Sequence, residues 1–506
     1  MGWGAVSEGS SHRQILRSTS IVGGASVLNV LISLIRTKAA ALLLGPVGVG
    51  LIGLLQNLMA TASMMSALGL GNVGTRQVAE AVGRDDPVAV TAARRALFWG
   101  TLILSVLGGA IFLALHRLLA ESVLGNLALS SDVAWLALGV AMTVASGSQL
   151  ALLTGLRRIG DIARINVLSS LFATLLGIGA LYMMGKDGLI VFVLAAPLLT
   201  LITGHVYVSR LPRTEAAVRA PFAQLMRQFT ALATLGSAFM IAGLATTVGQ
   251  LVVRSLVQKK LGAEALGHFQ AAWAISMTYI GFVLTAMGTD YYPRLTAAIH
   301  DRALANRMVN EQSEVALLLA GPLFMLLLGL APWVIDLLYS SRFNEAVDIL
   351  RWQVLGDIMK VAGFPLAYVI LASGSGRIYM LSESMAMALF IGLTWIGLPV
   401  LGIRSTGVAF VGMYAFYLLF TYTFARRRTG FRWDGRVRFQ LMALIGLGVM
   451  VHFASVWDGR AGAAVGLCAC AGYSVYALRR LGELSEIGVP LAAKLRRLTS
   501  KAWIVR

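Results

Sequence analysis

Charged side chains are scarce in this sequence: Asp, Glu, Lys and Arg make up 13% of its 506 residues, about half the share found in a soluble domain. That is too little charge to cover a water-soluble globule, and the class is excluded. Acidic residues are the scarcest, 23 against 42 Lys and Arg, for a net charge of +19. In a soluble chain such an excess would point to nucleic acid. In an apolar chain it points instead to loops on the cytoplasmic side of a membrane, and no nucleic-acid partner is expected. Cysteine is nearly absent. Cys468 and Cys470 sit in one apolar stretch, which provides neither a disulfide framework nor a metal site. The six histidines, His12, His116, His205, His268, His300 and His452, show no H-E-x-x-H or paired-ligand spacing, so neither a zinc hydrolase nor a bound metal is expected. There is no G-x-x-x-x-G-K-[ST] loop, which excludes ATP hydrolysis by the P-loop route. Gly69-Leu70-Gly71-Asn72-Val73-Gly74 matches the dinucleotide fingerprint letter by letter, but that motif needs a preceding strand and a βαβ unit. Here it closes an apolar helix, and its glycines read as close packing and a helix terminus. No catalytic constellation and no cofactor are expected.

What the chain has in abundance is apolar runs. Hydrophobic residues make up 58% of it, gathered in recurrent runs of about 20, the length that crosses a bilayer as a helix. Fourteen spans are predicted: 18–44, 48–71, 96–118, 133–155, 165–184, 188–209, 232–257, 266–288, 313–339, 350–373, 378–399, 405–425, 439–457 and 461–478. All are helices, because lipid-exposed backbone must satisfy its own hydrogen bonds and these runs are too long for barrel strands. Met1 to Ser20 is polar and no small-residue cleavage site follows, so the first run reads as a retained span and not a signal peptide. With the N-terminus in the cytoplasm, 30 of the 42 Lys and Arg fall inside, which predicts that both termini are cytoplasmic. The tail from Leu481 to Arg506 alternates Leu491, Leu495, Leu498 and Trp503 with Lys494, Arg496, Arg497 and Lys501. That is the pattern of a basic amphipathic helix on the anionic inner leaflet, the alternative being a solvated tail.

Leu44-Gly45-Pro46-Val47-Gly48-Val49-Gly50 lies on Leu261-Gly262-Ala263-Glu264-Ala265-Leu266-Gly267 at a shift of 217, and Gly71 meets Gly288 at the same shift. One shift contains six spans, an even number, so the two halves have the same orientation and are related by an axis along the membrane normal. The expected fold is an all-α polytopic membrane protein of two six-helix lobes with two further C-terminal helices. Its parts are a cytoplasmic N-terminus (1–17), an N-lobe (18–210), a cytoplasmic linker (211–231), a C-lobe (232–425), spans 13 and 14 (439–478) and the tail (479–506). Gly462-Ala463-Ala464-Val465-Gly466 has the form of a helix-packing motif, or arises by chance in an Ala/Gly-rich span.

Polar residues inside apolar spans are costly and tend to face a cavity or the bundle interior. Ser26, Asn29, Ser33 and Arg36 are spaced 3, 4 and 3, which places them on one helix face. Lys38, about 200° round from Arg36, cannot share it and reads as snorkelling to the outer interface. The seventh span repeats the stripe with Thr246 or Thr247, then Gln250 and Arg254: the shift of 217 takes Asn29 to Thr246, Ser33 to Gln250 and Arg36 to within one residue of Arg254. Gln56 and Asn57 are polar positions on the second span, and Asp357 and Lys360 stand three apart on the tenth. The last two either serve transport or simply neutralise each other as an i,i+3 pair.

Three stretches stand in order along the chain: Leu44-Gly45-Pro46-x-Gly48-x-Gly50, the run from Met287 through Asp290 to Leu295, and the stretch from Leu338 through Arg351-Trp352-Gln353 to Gly356. On these the chain, over residues 14 to 425, resembles the polysaccharide flippases of the multidrug/oligosaccharidyl-lipid/polysaccharide exporter superfamily, O-antigen translocases in particular. The resemblance implies two six-helix lobes around a central cavity. The related lipid II flippases carry an arginine nine residues before the glycine that closes the first span; Arg36 stands so to Gly45, and Arg254, eight before Gly262, is one off. The expected function is that of a flippase, not an enzyme. It would move an undecaprenyl-diphosphate-linked oligosaccharide, an O-antigen or related glycan unit, across the bacterial inner membrane by alternating access. Arg36, Arg254 and Lys360 would bind the diphosphate, and Ser26, Asn29, Ser33, Thr246, Gln250, Gln56 and Asn57 would line the cavity. Asp357 and Asp290 are the candidate coupling carboxylates. The implied partners are the lipid-linked oligosaccharide, membrane lipids, and a glycan polymerase with its chain-length regulator. A cation-coupled multidrug antiporter would favour embedded acids, whereas Arg36, Arg254 and Lys360 stand against Asp357 and Glu383. A polytopic glycosyltransferase or O-antigen polymerase would need long outer loops, and these are short.

Overall fold

The computed structural model describes residues 8–211 and 222–486; side chains are described within 23–211 and 243–484, except at 282, 283, 285–287, 289 and 290. The described residues form thirteen α-helices and no strand. In chain order these are α1 (Glu8–Ala67), α2 (Leu70–Gly83), α3 (Pro87–Leu119), α4 (Ser130–Gly155), α5 (Ile159–Met184), α6 (Leu189–Ser209), α7 (Phe222–Ala298), α8 (Arg302–Leu338), α9 (Glu345–Ala372), α10 (Gly376–Leu401), α11 (Arg404–Thr429), α12 (Gly435–Trp457) and α13 (Gly459–Glu486). Ten stretches are long and apolar enough to cross a membrane, so this is a multi-pass membrane protein.

Two helices are too long for one crossing. The 60 residues of α1 and the 77 of α7 would extend roughly 90 and 115 Å at 1.5 Å per residue, against a hydrocarbon core of about 30 Å. Each is broken once, α1 at Gly45 (φ 64°, ψ −166°) and α7 at Gly262 (φ 89°, ψ 177°). That backbone region is open essentially to glycine alone, so the break is written into the residue type. Gly45 and Gly262 are 217 residues apart, the shift found in the sequence.

The same shift governs the rest of both halves. Helix α5 spans 159–184 and α10 spans 376–401, each end displaced by 217. Positive-φ positions pair likewise: Arg157 (φ 54°) with Gly374 (φ 70°), and Gly185 (φ 58°) with Gly402 (φ 57°). Side-chain identity has diverged along most of this length while the backbone has kept its register. One difference stands out. Leu68 and Gly69 take positive φ between α1 and α2, with Gly69 as the left-handed cap of α2, whereas α7 runs on through Pro293 to Ala298. The glycines of 69–74 thus serve as a helix terminus and, at Gly74, as a contact with Leu97 of α3.

The described chain divides into two compact units, residues 1–267 with 338–340, and 268–337 with 341–506. In the first, Leu70, Val78, Leu97, Leu152 and Ile165 form a buried cluster joining α2, α3, α4 and α5. In the second, Leu295, Val309, Val369, Ala425 and Phe431 form another. Val78 and Leu152 in the first have their counterparts at the 217 shift, Leu295 and Val369, in the second. Helix α13 is fastened to α8 within the second unit. A Cβ on Gly329 would lie 2.9 Å from the Gly466 Cα and 3.2 Å from the Gly462 carbonyl oxygen, so the small-residue motif of 462–466 does bring two backbones together. Arg480 and Glu314 pair at 2.6 Å across the same two helices. The amphipathic tail expected from 481 onward lies outside the described residues beyond Glu486.

Candidate functional site

Apolar helices bury polar groups only where partners are supplied, and the second unit supplies them on four helices. Asp357 of α9 is fully buried. Its Oδ2 accepts the hydroxyl of Ser276 at 2.6 Å and that of Tyr279, both on α7. Its Oδ1 has no hydrogen-bond partner among the described residues. One helical turn away, the Lys360 amine points elsewhere, to the Met277 sulfur at 3.5 Å and over the Tyr414 ring of α11 at 5.2 Å. Asp357 and Lys360 therefore feel each other's charge without closing into the direct pair that their i,i+3 spacing allows. Glu383 of α10 accepts the Tyr417 hydroxyl of α11 at 2.6 Å and a further hydrogen bond from Tyr379, and it too lies within electrostatic reach of Lys360. One amine and two carboxylates are thus held in a wall of tyrosines, with no direct ion pair among the three.

The first unit holds the two arginines singled out in the sequence, Arg36 and Arg254. Arg36 of α1 donates from Nη2 to the carbonyl of Phe192 on α6 at 2.6 Å, and its guanidinium carbon lies 4.4 Å from the centre of the Phe192 ring. Its Nε is buried with no acceptor among the described residues. On the stripe below, Ser26 and Asn29 are half-buried and Ser33 is exposed. The Asn29 Oδ1 is buried without a donor. Arg254, on the first span of α7, is 4% exposed and donates to the Gln250 carbonyl one turn back at 3.2 Å. Gln250 and Thr246 are half-buried beside it. On the second span of α1, Gln56 and Asn57 are half-buried, and the Asn57 Oδ1 also lacks a partner among the described residues. The Asp290 side chain lies outside the described residues.

The structure thus brings Asp357 and Lys360 into one network and Gln250 and Arg254 onto one helical turn. Arg36 belongs to the first unit and Lys360 to the second. Sequence reasoning weighed Glu383 only as an embedded charge, and passed over Ser276, Tyr279, Tyr379, Tyr414 and Tyr417. A tyrosine in a membrane helix reads as an ordinary interfacial residue; only its hydrogen bond to a carboxylate marks these as part of a site. No group of three or more His, Cys, Asp or Glu is placed to hold a metal among the described residues.

The arrangement can be set beside known proteins. The profile of the polysaccharide biosynthesis protein family matches residues 40–348, more than half of the chain. The chain belongs to this family. Among the curated proteins it is similar to Lipid III flippase of Escherichia coli (strain K12) and of Shigella flexneri, each 26% identical over 396 residues, 75% of this chain and 90% of the relative. In fold this polysaccharide biosynthesis protein is similar to an inward-facing multidrug resistance transporter of the MATE family and MOP superfamily, with a TM-score of 0.67 and 17% identity, covering 81% of this chain and 98% of that one. It is equally similar to lipid II flippase MurJ in an inward closed conformation, with a TM-score of 0.67 and 11% identity, covering 92% and 99%. The fold expected from the repeat is the one found.

Proposed function

We propose that this family member is a flippase of a lipid-linked oligosaccharide, an undecaprenyl-diphosphate-linked O-antigen or related glycan unit, in the bacterial inner membrane with both termini cytoplasmic. One observation supports the reading: repeat-related helices carry Arg36, half-buried with its Nε unpaired among the described residues, and Arg254, buried, in a chain that matches Lipid III flippase over 90% of that protein's length. A diphosphate cannot cross hydrocarbon unaided. Guanidinium groups replace its hydration with planar, charge-assisted contacts, and the buried Nε of Arg36 is a donor that a phosphate oxygen would satisfy. Ser26, Asn29, Ser33, Thr246, Gln250, Gln56 and Asn57 offer the remaining polar surface to the headgroup, while the lipid tail stays in the bilayer. The lobes are 18–210 and 232–425, and alternating access between them moves the headgroup. No covalent step is needed, so the protein is not an enzyme. A glycan polymerase and its chain-length regulator are the consumers of the product on the far side.

The second unit supplies the coupling. One amine faces two carboxylates, so the set is electrically balanced only when one carboxylate holds a proton or a cation joins it. We assign Asp357 as the coupling carboxylate, with Lys360 either contacting the diphosphate or neutralising the set in turn; Asp290 is the second candidate. The same acids favour one other reading, a cation-coupled multidrug antiporter, because embedded carboxylates also attract cationic substrates. Deletion in the source bacterium separates the two. Accumulation of the lipid-linked glycan on the cytoplasmic leaflet supports the flippase, and unchanged leaflet distribution with altered drug susceptibility supports the antiporter.

A further inference from the structure

The segment that joins α11 to α12 carries a basic cluster that transport leaves unused. Arg426, Arg427, Arg428, Arg432, Arg436 and Arg438 fall within 426–438, and all six are exposed. Asp434 is the only acid among them, and none of the six side chains forms an ion pair or hydrogen bond within the described residues. Yet the backbone that carries them is pinned. Asn306 of α8 donates to the Thr429 carbonyl at 3.1 Å and accepts the Thr429 hydroxyl at 2.8 Å. One turn on, Asn310 donates to the Arg432 carbonyl at 3.1 Å and accepts the Asp434 N–H at 2.9 Å. Phe431 between them is fully buried in the second unit's cluster, and Trp433 packs on Tyr422 with ring centres 4.8 Å apart.

Holding six like charges on a rigid turn costs Coulomb energy that a floppy linker would relieve. Helix stability does not explain all of them. Arg426, Arg427 and Arg428 suit the C-terminal turn of α11, but Arg436 and Arg438 open α12 with no acid in its first turn, where the helix dipole disfavours cations. The 26 residues of α11 extend about 39 Å, past the hydrocarbon core of about 30 Å and into the headgroup layer. A helix longer than the core lets a turn at its end reach the layer of lipid phosphates.

We propose that this turn is a binding site for the phosphodiester headgroups of anionic phospholipids, with the arginines as ligands and Asn306, Asn310 and Phe431 as the frame that presents them. Which leaflet it serves rests on the orientation given above; whether it binds does not, and reporter fusions test the orientation separately. The test is native mass spectrometry of the full-length protein titrated with short-chain phosphatidylglycerol against phosphatidylcholine. Wild type should retain phosphatidylglycerol in preference, and Arg432→Gln/Arg436→Gln should weaken that retention roughly 30-fold. Asn310→Ala keeps every arginine but releases the frame, and should weaken retention to a smaller extent. Arg84→Gln/Arg302→Gln removes the same charge from other exposed positions and should leave it unchanged. Undiminished retention in the Arg432/Arg436 variant, or equal loss in the Arg84/Arg302 control, overturns the site. Full competition by inorganic diphosphate at matched concentration overturns the lipid as its ligand. Since Arg432 and Arg436 are exposed, a thermal shift within error of wild type for that variant shows that its loss is one of binding.

Discussion

Gly50 on α1 and Gly267 on α7, equivalent positions 217 residues apart in the repeat, lie against each other within one compact unit. A Cβ on Gly50 would stand 2.7 Å from the Gly267 nitrogen and from the Ala263 carbonyl oxygen, and a Cβ on Gly267 would stand 2.0 Å from the Pro46 carbonyl oxygen. The obstacles are backbone atoms, which cannot rotate away. In lipid, where apolar side chains gain nothing from leaving the solvent, such close backbone approach is the main source of helix association.

Gly267→Ala should therefore lower the apparent Tm of the purified protein, with an overpacking cost of about 1–3 kcal/mol, and Gly50→Ala should do so as well. Gly71→Ala, where a Cβ meets nothing within 4 Å, is the control. Equal Tm values for all three variants would show that the glycine contact contributes nothing.

Arg36→Ala should abolish or severely reduce surface glycan at normal membrane abundance, since a hydrogen bond to a charged group is worth about 1.5–3 kcal/mol. Arg36→Lys should rescue only in part, because a point charge lacks the planar fork. Phe192→Leu, which removes the ring under the guanidinium but leaves its charge, should fall between wild type and Arg36→Ala, in line with a cation–π term of roughly 0.5–2 kcal/mol. Lys38→Ala should be mild. Glycan display by immunoblot, normalised to protein in the membrane, decides; a Lys38→Ala defect as deep as that of Arg36→Ala would make both residues interfacial anchors.

Asp357→Asn keeps an acceptor for Ser276 and Tyr279 and removes the charge. The variant should insert and fold as wild type while glycan display drops at least about tenfold, the effect of some 1.4 kcal/mol in the transport cycle. Normal display would remove Asp357 from the coupling step and leave it a packing residue.

Arg480→Ala leaves Glu314 buried without its partner, the side chains being 11% and 9% exposed in the pair. Breaking a buried pair costs about 3–5 kcal/mol, whereas replacing both partners by apolar residues is often neutral. Thermal unfolding should therefore show a large loss for Arg480→Ala and recovery in Glu314→Leu/Arg480→Leu. Truncation after Arg428 removes this tie and the Gly329 contact together. The core bundle should still insert, with lower Tm and reduced activity.

A reporter active only in the cytoplasm should be silent when fused after Lys186 and active when fused after Arg213. The reverse pattern would overturn the span assignment of the first lobe.

Class and repeat were legible in the order of residues because the bilayer acts on each segment separately. A run such as 378–399 must be helical whatever surrounds it, since lipid offers its backbone no other partner. The breaks at Gly45 and Gly262 were legible too, as a shared motif, because only glycine takes their conformation. Tertiary structure decided what spacing leaves open. Asp357 and Lys360, three apart, were free to pair, and neighbours on α7 and α11 drew them to separate partners, the carboxylate to Ser276 and Tyr279, the amine to Met277 and Tyr414. Likewise nothing in the run from Arg426 to Arg438 announced that Asn306 and Asn310, over a hundred residues earlier, would hold its backbone. Periodicity reports which face of one helix a residue occupies; which atoms meet it there is set by helices far away in the chain.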